Sequence, residues 1–341
     1  MAEVSNPSAM AREIVEIPDA AERLLARTGS ISTAADRIRA HAPRSMVFCG
    51  RGSSGHVGVY LRYLFEARLG IIACAAAPSV MTAYDARPEM RGVLFVVVSQ
   101  SGRSPDLIAT TKRARESGAL TLAIVNDANA PVAGEAELVI PIEAGAEHAV
   151  AATKTVVLSM LACVQLVAML GQDDELRRAA ERLPGRLAQA LECDWSAWTQ
   201  SLAAAPAAFV AARGYGLPSA REIALKLTES LRLPALAYSA AELRHGPRAA
   251  ITPATPALLL RQCDQTASSV DELVRDLRSS GETLFVAGGP SGTLPWIGDD
   301  HAVCDPIAML APAYCAIEAS VRAHGWDPDN PPYLAKVTKT L

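Results

Sequence analysis

The sequence lacks the features that mark disulfide-rich, zinc-binding and nucleic-acid-binding proteins. Its seven cysteines are odd in number and form no C-x-x-C pair, which argues against a disulfide framework or a zinc site. It contains no basic run interleaved with aromatic residues, and its net charge of -4 argues against nucleic acid as a partner. We therefore expect reduced thiols in the core of a cytoplasmic protein that binds no metal.

Signals for secretion and for membrane insertion are also missing. The N-terminal segment, residues 1–25, is acidic and helical in pattern and has no apolar core of the kind found in signal peptides. The most apolar segment, residues 155–171, is short for a membrane span and contains Ser159 and Gln165. We predict that this segment is a buried helix and that the protein has no membrane partner.

Short apolar runs that alternate with helical patterns are what the sequence does contain. With 341 residues, 50% of them hydrophobic, the chain is long enough for one large or two medium domains. The runs are apolar throughout instead of alternating, as parallel strands covered on both faces require. The predicted strands are residues 45–50, 71–77, 92–100, 120–126, 138–143, 207–216, 235–240, 257–263, 283–289 and 301–306.

This order of elements occurs twice, which predicts an α/β fold of two tandem doubly wound parallel-sheet domains, flavodoxin-like with three αβα layers. Ligands of such sheets bind beyond the carboxyl ends of the strands, here the turns after Gly50, Gln100 and Gly216. The predicted helices of the second half lie at about 218–232, 271–280 and 308–323. The predicted divisions are a leader of one or two helices (1–42), a first domain (43–172), a helical linker (173–200), a second domain (201–330) and a C-terminal tail (331–341).

One strand-to-helix turn, in "VVVSQSGRSPDL", is rich in hydrogen-bond donors. The hydroxyls of Ser99, Ser101 and Ser104, the Gln100 amide and the Gly102 N–H precede a helix N-terminus, a combination suited to an anion such as phosphate. The turn contains no lysine and is therefore not a P-loop. The alternative interpretation is a polar turn in which Ser104 caps the helix ahead of a proline.

A second turn, "CGRGSSG", has the glycine spacing of a dinucleotide fingerprint. That fingerprint also requires an acidic residue at the end of the next strand, and residues 67–84 contain none. We therefore predict no dinucleotide and no other cofactor. Ser53 and Ser54 are expected to contact a sugar or its phosphate.

Four segments, in this order, resemble the sugar isomerase (SIS) family of phosphosugar-handling proteins. "SQSGRSPD" resembles the family's phosphate loop, and "EHAVAATK" (147–154) resembles the segment that follows the first domain's fifth strand. "REIALKLTESLRLPALAYSAAELRHGP" (221–247) is similar to the isomerase half of glucosamine-6-phosphate synthase, and "LAKVTKTL" resembles that enzyme's C-terminal tail. The resemblance covers roughly residues 40–341 and implies a homodimer with a shared active site.

The synthase also carries a glutamine-hydrolysing domain headed by an N-terminal cysteine, where this chain has Ala2 and a short helical leader. We therefore expect no internal ammonia source, and the resemblance then implies the SIS-type glucosamine-6-phosphate deaminases. "GRGSSGH" and "SQSGRSPDL" look closer to these deaminases than to the synthase. The candidate sugar contacts after the fifth strand are Val150 and Ala152, where Ala152 replaces a serine of the synthase.

The resemblance places the family's catalytic glutamate at Glu229, which we predict to be the base that moves a proton between C2 and C1. Glu222 and Lys226 share one helical face with it, at i, i+4 and i+7 spacing. A solvated Glu–Lys–Glu stripe is the alternative. The helix beginning near Pro218 starts at the carboxyl end of a strand, where such folds bind ligands, and two turns later Glu229 is expected to project into the cleft.

Two further residues complete the candidate catalytic set. In the family, the histidine at the position of His245 serves a neighbouring subunit, and its imidazole suits proton transfer during ring opening. The lysine at the position of Lys336 meets the carbonyl of the open-chain sugar. A structural loop histidine and a frayed tail are the alternatives.

These observations predict an SIS-type phosphosugar enzyme that acts on an amino sugar 6-phosphate, with glucosamine-6-phosphate deaminase as the preferred activity. Aldose–ketose phosphosugar isomerase, galactosamine-6-phosphate deaminase and deglycase are alternatives on the same fold. A regulatory SIS module that senses a phosphosugar without turnover is an alternative of another class. Such a module would not need Glu229, His245 and Lys336 together, and we expect no N-terminal DNA-binding helix pair.

Overall fold

The computed structural model of the protein describes residues 7–336. The first six residues of the predicted leader, Ala2 among them, lie outside the described residues, as do residues 337–341 of the predicted tail. Within the described part, the chain forms two compact units, one of residues 19–145 and 155–184 and the other of residues 7–18, 146–154 and 185–336. We call them the five-stranded unit and the four-stranded unit. The division into leader, two domains, linker and tail stays a prediction.

The five-stranded unit contains a parallel sheet whose strand order is β2-β1-β3-β4-β5. The central strands β3 and β4 are buried over almost their whole length, which explains their uninterrupted apolar sequence. Phe95, Val97 and Leu107 belong to the core on one face of this sheet. The strands are β1 (Ser45–Cys49), β2 (Ile72–Ala75), β3 (Val93–Ser99), β4 (Leu120–Val125) and β5 (Leu138–Pro141).

The four-stranded unit contains a second parallel sheet, of order β7-β6-β8-β9. Phe209, Leu259 and Leu273 belong to the core on one of its faces. Both sheets thus place their first strand between the second and the third, as doubly wound sheets do, and the predicted fold class is confirmed. The strands are β6 (Ala208–Ala212), β7 (Ala235–Ser239), β8 (Ala257–Leu260) and β9 (Leu284–Ala287).

Helices connect the strands. They also occupy the stretch of sequence between the last strand of the first sheet and the first strand of the second. Three of them lie within residues 7–42, where one or two were expected for the leader. The helices are α1 (Ala9–Val15), α2 (Ile17–Leu25), α3 (Gly29–His41), α4 (Ser53–Leu69), α5 (Pro78–Thr82), α6 (Pro105–Glu116), α7 (Pro131–Glu135), α8 (Lys154–Gly171), α9 (Asp174–Ala190), α10 (Ser196–Ser201), α11 (Leu217–Ser230), α12 (Ala240–Leu243), α13 (Ala267–Ser279), α14 (Asp305–Ala308) and α15 (Leu310–Ala323), with 3₁₀ turns at Gly214–Gly216 and Pro247–Ala250.

The prediction of a strand at residues 301–306 is wrong. The His301 carbonyl accepts hydrogen bonds from the N–H groups of Cys304 (2.8 Å) and Asp305 (2.9 Å), so the chain turns here and enters α14. The buried Asp305 carboxylate also accepts a hydrogen bond from Arg186 (2.9 Å). Burial raises the pKa of the Asp305 carboxyl to about 6. A short apolar run that belongs to a buried turn has the same local pattern as a buried strand.

Helix α8 is long and apolar enough to cross a membrane by length and composition, but 83% of its 18-residue window is buried inside the folded chain. Its side chains include Leu158, Cys163 and Leu166, all fully buried. The prediction of a buried core helix at residues 155–171 is confirmed.

The seven cysteines are free thiols, but only some of them belong to the core. Cys49, Cys163 and Cys304 are buried, whereas Cys74 and Cys263 are exposed and the remaining two are intermediate. The prediction of core thiols therefore applies to three of the seven.

Candidate active site

In the five-stranded unit, the serine-rich turn lies where doubly wound sheets bind ligands. The strand order reverses between β1 and β3, which pair in parallel with Cys49 opposite Val97. The turns that follow these two strands, "GRGSSG" and "SQSGRS", therefore emerge side by side at the carboxyl edge of the sheet. The two turns that the sequence singled out separately thus belong to one crevice.

The serine loop, residues 99–104, is held by its own hydrogen bonds. The Ser99 hydroxyl is buried and accepts from the Gly102 N–H (3.0 Å), and the Ser101 hydroxyl accepts from the Arg103 N–H (3.3 Å). Ser104 is the residue before α6 and Pro105 begins the helix, as predicted, but the Ser104 side chain makes no capping hydrogen bond. The donors of the loop are thus divided: Ser99 shapes the turn, while Gln100, Ser101 and Ser104 are partly exposed.

Gly102 is required by the shape of this loop. Its φ of +61° lies in the left-handed region, and a Cβ atom added there would stand 2.4 Å from the Ala130 Cβ. Its carbonyl accepts a hydrogen bond from the Val132 N–H (3.0 Å), which ties the loop to α7. The loop therefore has a fixed conformation before any ligand arrives.

An ion pair connects the two turns of the crevice. Arg51, in the turn after β1, donates to the Asp106 carboxylate at 2.6 Å and 2.9 Å, and Asp106 lies in the first turn of α6. Asp106 is 2% exposed while the Arg51 side chain is 54% exposed. The ion pair thus joins the turn after β1 to the first turn of α6, and Ser53 and Ser54 follow Arg51 at the start of α4.

In the four-stranded unit, α11 carries a buried array of alternating charges. The Lys226 Nζ lies 2.5 Å from the Glu229 carboxylate and 3.4 Å from the Glu222 carboxylate. Glu222 and Lys226 are completely buried, whereas the Glu229 side chain is 22% exposed. The solvated-stripe interpretation is therefore wrong: only the Glu229 end of the array reaches solvent.

The electrostatics of this array keep Lys226 charged despite its burial. Burial lowers the pKa of Lys226, but the carboxylates of Glu222 and Glu229 outweigh this effect and hold the pKa above its usual value. The Tyr314 hydroxyl, from α15, donates to Glu222 at 3.3 Å. Burial raises the pKa of Tyr314 well above its usual value, and the neighbouring carboxylates raise it further, so the tyrosine remains a hydrogen-bond donor.

The position of Glu229 along its helix differs from the expectation. Glu229 is the penultimate residue of α11, about 18 Å along the helix axis from Leu217, the first residue of the helix. Glu229 lies more than three turns along this helix, where two turns were expected. That it projects into the ligand cleft stays a prediction. Its candidate role rests on the array and on the family resemblance.

Lys336 is ordered and paired in the four-stranded unit. Its Nζ lies 3.0 Å from the Glu147 carboxylate and donates to the Ala149 carbonyl at 2.5 Å. Val150 and Ala152 belong to the same segment, which follows β5 and leads into α8. The structure therefore brings Lys336 to the segment that contains Val150 and Ala152, and the frayed-tail interpretation is wrong for Lys336.

His245 lies in a different environment of the same unit. It is exposed and lines a cleft of about 680 Å³ together with Arg213, Arg244 and Thr266. The lining of this cleft contains none of Glu222, Lys226 and Glu229, so the described chain alone does not join His245 to the array.

Sequence reasoning missed Arg51, Asp106, Glu147 and Tyr314. Glu147 stands at the head of the quoted segment "EHAVAATK", and Tyr314 is the one hydroxyl-bearing aromatic residue of α15. Arg51 and Asp106 flank the two turns but are 55 positions apart, so only the sheet order shows that they meet. Within residues 7–336, no group of three or more His, Cys, Asp or Glu side chains forms a candidate metal site.

Comparison with known proteins gives a family for this arrangement. The SIS domain model matches residues 41–169 and 201–289. The glutamine–fructose-6-phosphate aminotransferase (isomerizing) of Symbiobacterium thermophilum is 32% identical over 96% of this chain. The alignment covers only 58% of that relative, so the chain spans little more than half of its length.

Solved structures show the same architecture. A candidate phosphosugar isomerase from Silicibacter pomeroyi DSS-3 is 38% identical, superposes with a TM-score of 0.90, and aligns over 94% of this chain and 100% of its own. The glucosamine-6-phosphate deaminase of Thermotoga maritima shares the fold with a TM-score of 0.80 at 20% identity, over 97% of this chain and 100% of its own. Because the family model matches more than half of the residues, and a 38% identical protein aligns over nearly all of them, the chain belongs to the SIS domain family.

Proposed function

We propose that this protein is a phosphosugar enzyme that moves a proton between C2 and C1 of an open-chain sugar 6-phosphate, and that its reaction is the deamination of glucosamine 6-phosphate. The observation that carries the proposal is the buried array of α11. Two of its three charges are completely enclosed and the third, Glu229, is 22% exposed. A carboxylate held beside a buried ammonium and partly open to solvent is suited to accept a proton next to a carbonyl or imine.

Each candidate residue has a distinct task in this proposal. Glu229 removes the C2 proton and returns it to C1, while Lys226 and Glu222 hold its charge and orientation. Lys336 contacts the carbonyl of the open chain, and the serine loop anchors the phosphate. His245, from a second copy of the chain in a homodimer, opens the ring.

The proposed deamination balances without a cofactor. Ring opening exposes the C1 aldehyde. The C2 proton then moves to C1 while a proton passes from the amine nitrogen to O1, which converts the aldehyde into an alcohol and the C2 amine into an imine. Water then adds to this imine and ammonia leaves, which yields fructose 6-phosphate. The same proton transfer on a sugar that carries a C2 hydroxyl gives a ketose and stops there.

A second candidate, aldose–ketose phosphosugar isomerase, is favoured by the 38% identical relative from Silicibacter pomeroyi, for which that class of activity is suggested. The two reactions share the first proton transfer and differ in whether water attacks C2. Purified protein should therefore be incubated with 6-phosphates of glucosamine, galactosamine, glucose and a fructosamine, with ammonia and ketose measured in parallel. Ammonia and fructose 6-phosphate from glucosamine 6-phosphate support the deaminase; ketose without ammonia supports the isomerase.

The other results of that panel separate the remaining alternatives. Preference for galactosamine 6-phosphate supports the galactosamine-6-phosphate deaminase. Release of glucose 6-phosphate from the fructosamine 6-phosphate supports the deglycase. Tight binding of a phosphosugar without turnover identifies a sensing module and contradicts the enzyme.

Replacing serine hydroxyls of the loop should weaken substrate binding more than catalysis. Ser101→Ala and Ser104→Ala each remove a partly exposed hydroxyl that the fold does not need for a helix cap. Because a phosphate anchor binds ground state and transition state alike, KM should rise while kcat stays close to the parent value. Ser117→Ala, at the other end of α6, is the matched control. Steady-state kinetics with unchanged KM in both loop variants would remove the loop from the site.

Mixed dimers test whether the site is shared. Glu229→Gln and His245→Ala should each be inactive as homodimers, because each lacks one proton-transfer group in every site. Heterodimers purified with two affinity tags should recover part of the parental activity, since one of their two sites contains both residues. Heterodimers as inactive as their parents would indicate a site built within one chain.

A further inference from the structure

We infer that Glu147 is a positioning residue for Lys336 and sets where the lysine ammonium meets the substrate. This inference deepens the proposed function, because it rests on the assignment of Lys336 to the open-chain carbonyl. Glu147 was absent from the residues that the sequence indicated.

The contact between the two side chains is close and largely enclosed. The Lys336 Nζ lies 3.0 Å from the Glu147 Oε2, and the exposed fractions are 25% for the lysine side chain and 0% for the glutamate. The Ala149 carbonyl accepts a second hydrogen bond from the same ammonium, at 2.5 Å. Two fixed acceptors thus direct the ammonium, and its third N–H remains available for an oxygen of the substrate.

The Glu147 carboxylate is itself immobilised. Its Oε1 accepts a hydrogen bond from the Thr153 N–H at 3.1 Å, across the loop of residues 147–153. One oxygen is therefore used to hold the carboxylate in the loop, and the other faces Lys336. A carboxylate held at both oxygens defines a direction for its partner, whereas an exposed ion pair would not.

Helix α1 fixes the loop from a second side. The buried Glu13 carboxylate accepts hydrogen bonds from the backbone N–H groups of His148 and Ala149. Burial raises the pKa of the Glu13 carboxyl, the two backbone hydrogen bonds lower it, and the Glu147 charge raises it. The loop that binds the lysine is thus attached to the helix that precedes it by more than 130 positions.

Asp329, two residues before the tail, belongs to the same assembly. Its carboxylate accepts from the N–H groups of Ala9 (2.7 Å) and Met10 (2.8 Å) at the start of α1. Its carbonyl accepts from the Val150 N–H at 3.0 Å. Helix α1, the loop and the tail therefore form one hydrogen-bonded arrangement around Lys336.

Glu147→Gln tests the inference, because glutamine keeps an oxygen for the Thr153 N–H and loses the charge that faces Lys336. The chain has five lysines, so acylation of each ammonium by a dilute active ester can be followed by peptide mass spectrometry. We expect Lys336 to be acylated about 10- to 100-fold faster in the variant than in the parent, relative to the exposed Lys112. With the substrate found in the panel, kcat should fall about 10²-fold while KM stays near the parent value, because the phosphate anchor is intact.

Two further variants test whether the effect depends on the charge of Glu147. Glu147→Asp keeps the charge and should restore part of kcat and of the protection of Lys336. Glu16→Gln is the matched control: it removes the 53% exposed carboxylate that pairs with the buried Lys154, and should alter the acylation of Lys154 alone. Its kcat should equal the parent value.

Parental acylation of Lys336 in Glu147→Gln overturns the inference, and so does faster acylation with parental kcat. A simultaneous rise at Lys154 and Lys226 also overturns it, because it reports loss of the fold instead of release of one lysine. If the parent turns over none of the sugars, the proposed function fails. Acylation of Lys336 then still decides whether Glu147 holds the lysine.

Discussion

Glu229→Gln is expected to lower kcat by about 10²- to 10⁴-fold, the usual contribution of a general base, while the protein still binds substrate. Glutamine keeps the size of the side chain and an oxygen that can accept a hydrogen bond from the Lys226 Nζ, which lies 2.5 Å from the Glu229 Oε2 in the parent protein. It cannot accept the C2 proton. The direct measurement is exchange of the C2 hydrogen with deuterated solvent, followed by NMR, because it reports the proton transfer even where product formation is limited by a later step.

Glu242→Gln is a suitable control for this experiment, because Glu242 lies on the short helix α12 of the same unit and is exposed. It should exchange the C2 hydrogen at the parental rate. If Glu229→Gln also exchanges at the parental rate, the base is another residue, and Glu222 becomes the next candidate. Equal loss in Glu222→Gln and Glu229→Gln would indicate that the array acts as a unit, since residues of a coupled set are not additive.

Lys226→Met is expected to destabilise the fold by about 3–5 kcal/mol, the cost of breaking a buried ion pair by removing one partner. Methionine has nearly the volume of lysine, so the loss comes from charge and not from a cavity. It leaves the completely buried Glu222 carboxylate without its ammonium partner, at a site where Tyr314 supplies a hydrogen bond of 3.3 Å. Urea unfolding should show a lower midpoint with an unchanged slope.

The double variant Glu222→Gln/Lys226→Met separates this cause from packing. It removes both buried charges together, and buried ion pairs replaced as a pair are often close to neutral in stability. It should therefore be more stable than Lys226→Met alone, although both are inactive in the proposed mechanism. A double variant less stable than the single one, or a single variant that loses less than about 1 kcal/mol, would contradict the electrostatic account.

Local patterns were sufficient for most of the fold, because parallel strands buried on both faces are apolar throughout and stand out from amphipathic helices. Nine of the ten predicted strands occur in the described chain. The exception, residues 301–306, is a buried turn that leads to Asp305, and burial without strand pairing has no separate signature in sequence. The three helices of the leader were undercounted because α1 and α2 are separated by Glu16 alone.

What the sequence determined by itself is the set of residue types within single segments: the serine loop, the i, i+4, i+7 array of Glu222, Lys226 and Glu229, and the apolar strands. These follow from spacing along one element, which the periodicity of helices and strands fixes. Only the tertiary structure decided which segments meet. Arg51 reaches Asp106, Tyr314 reaches Glu222, and Glu147 reaches Lys336 across 55, 92 and 189 positions. Such contacts depend on strand order and helix packing, and neither is encoded in the local pattern of the residues that they bring together.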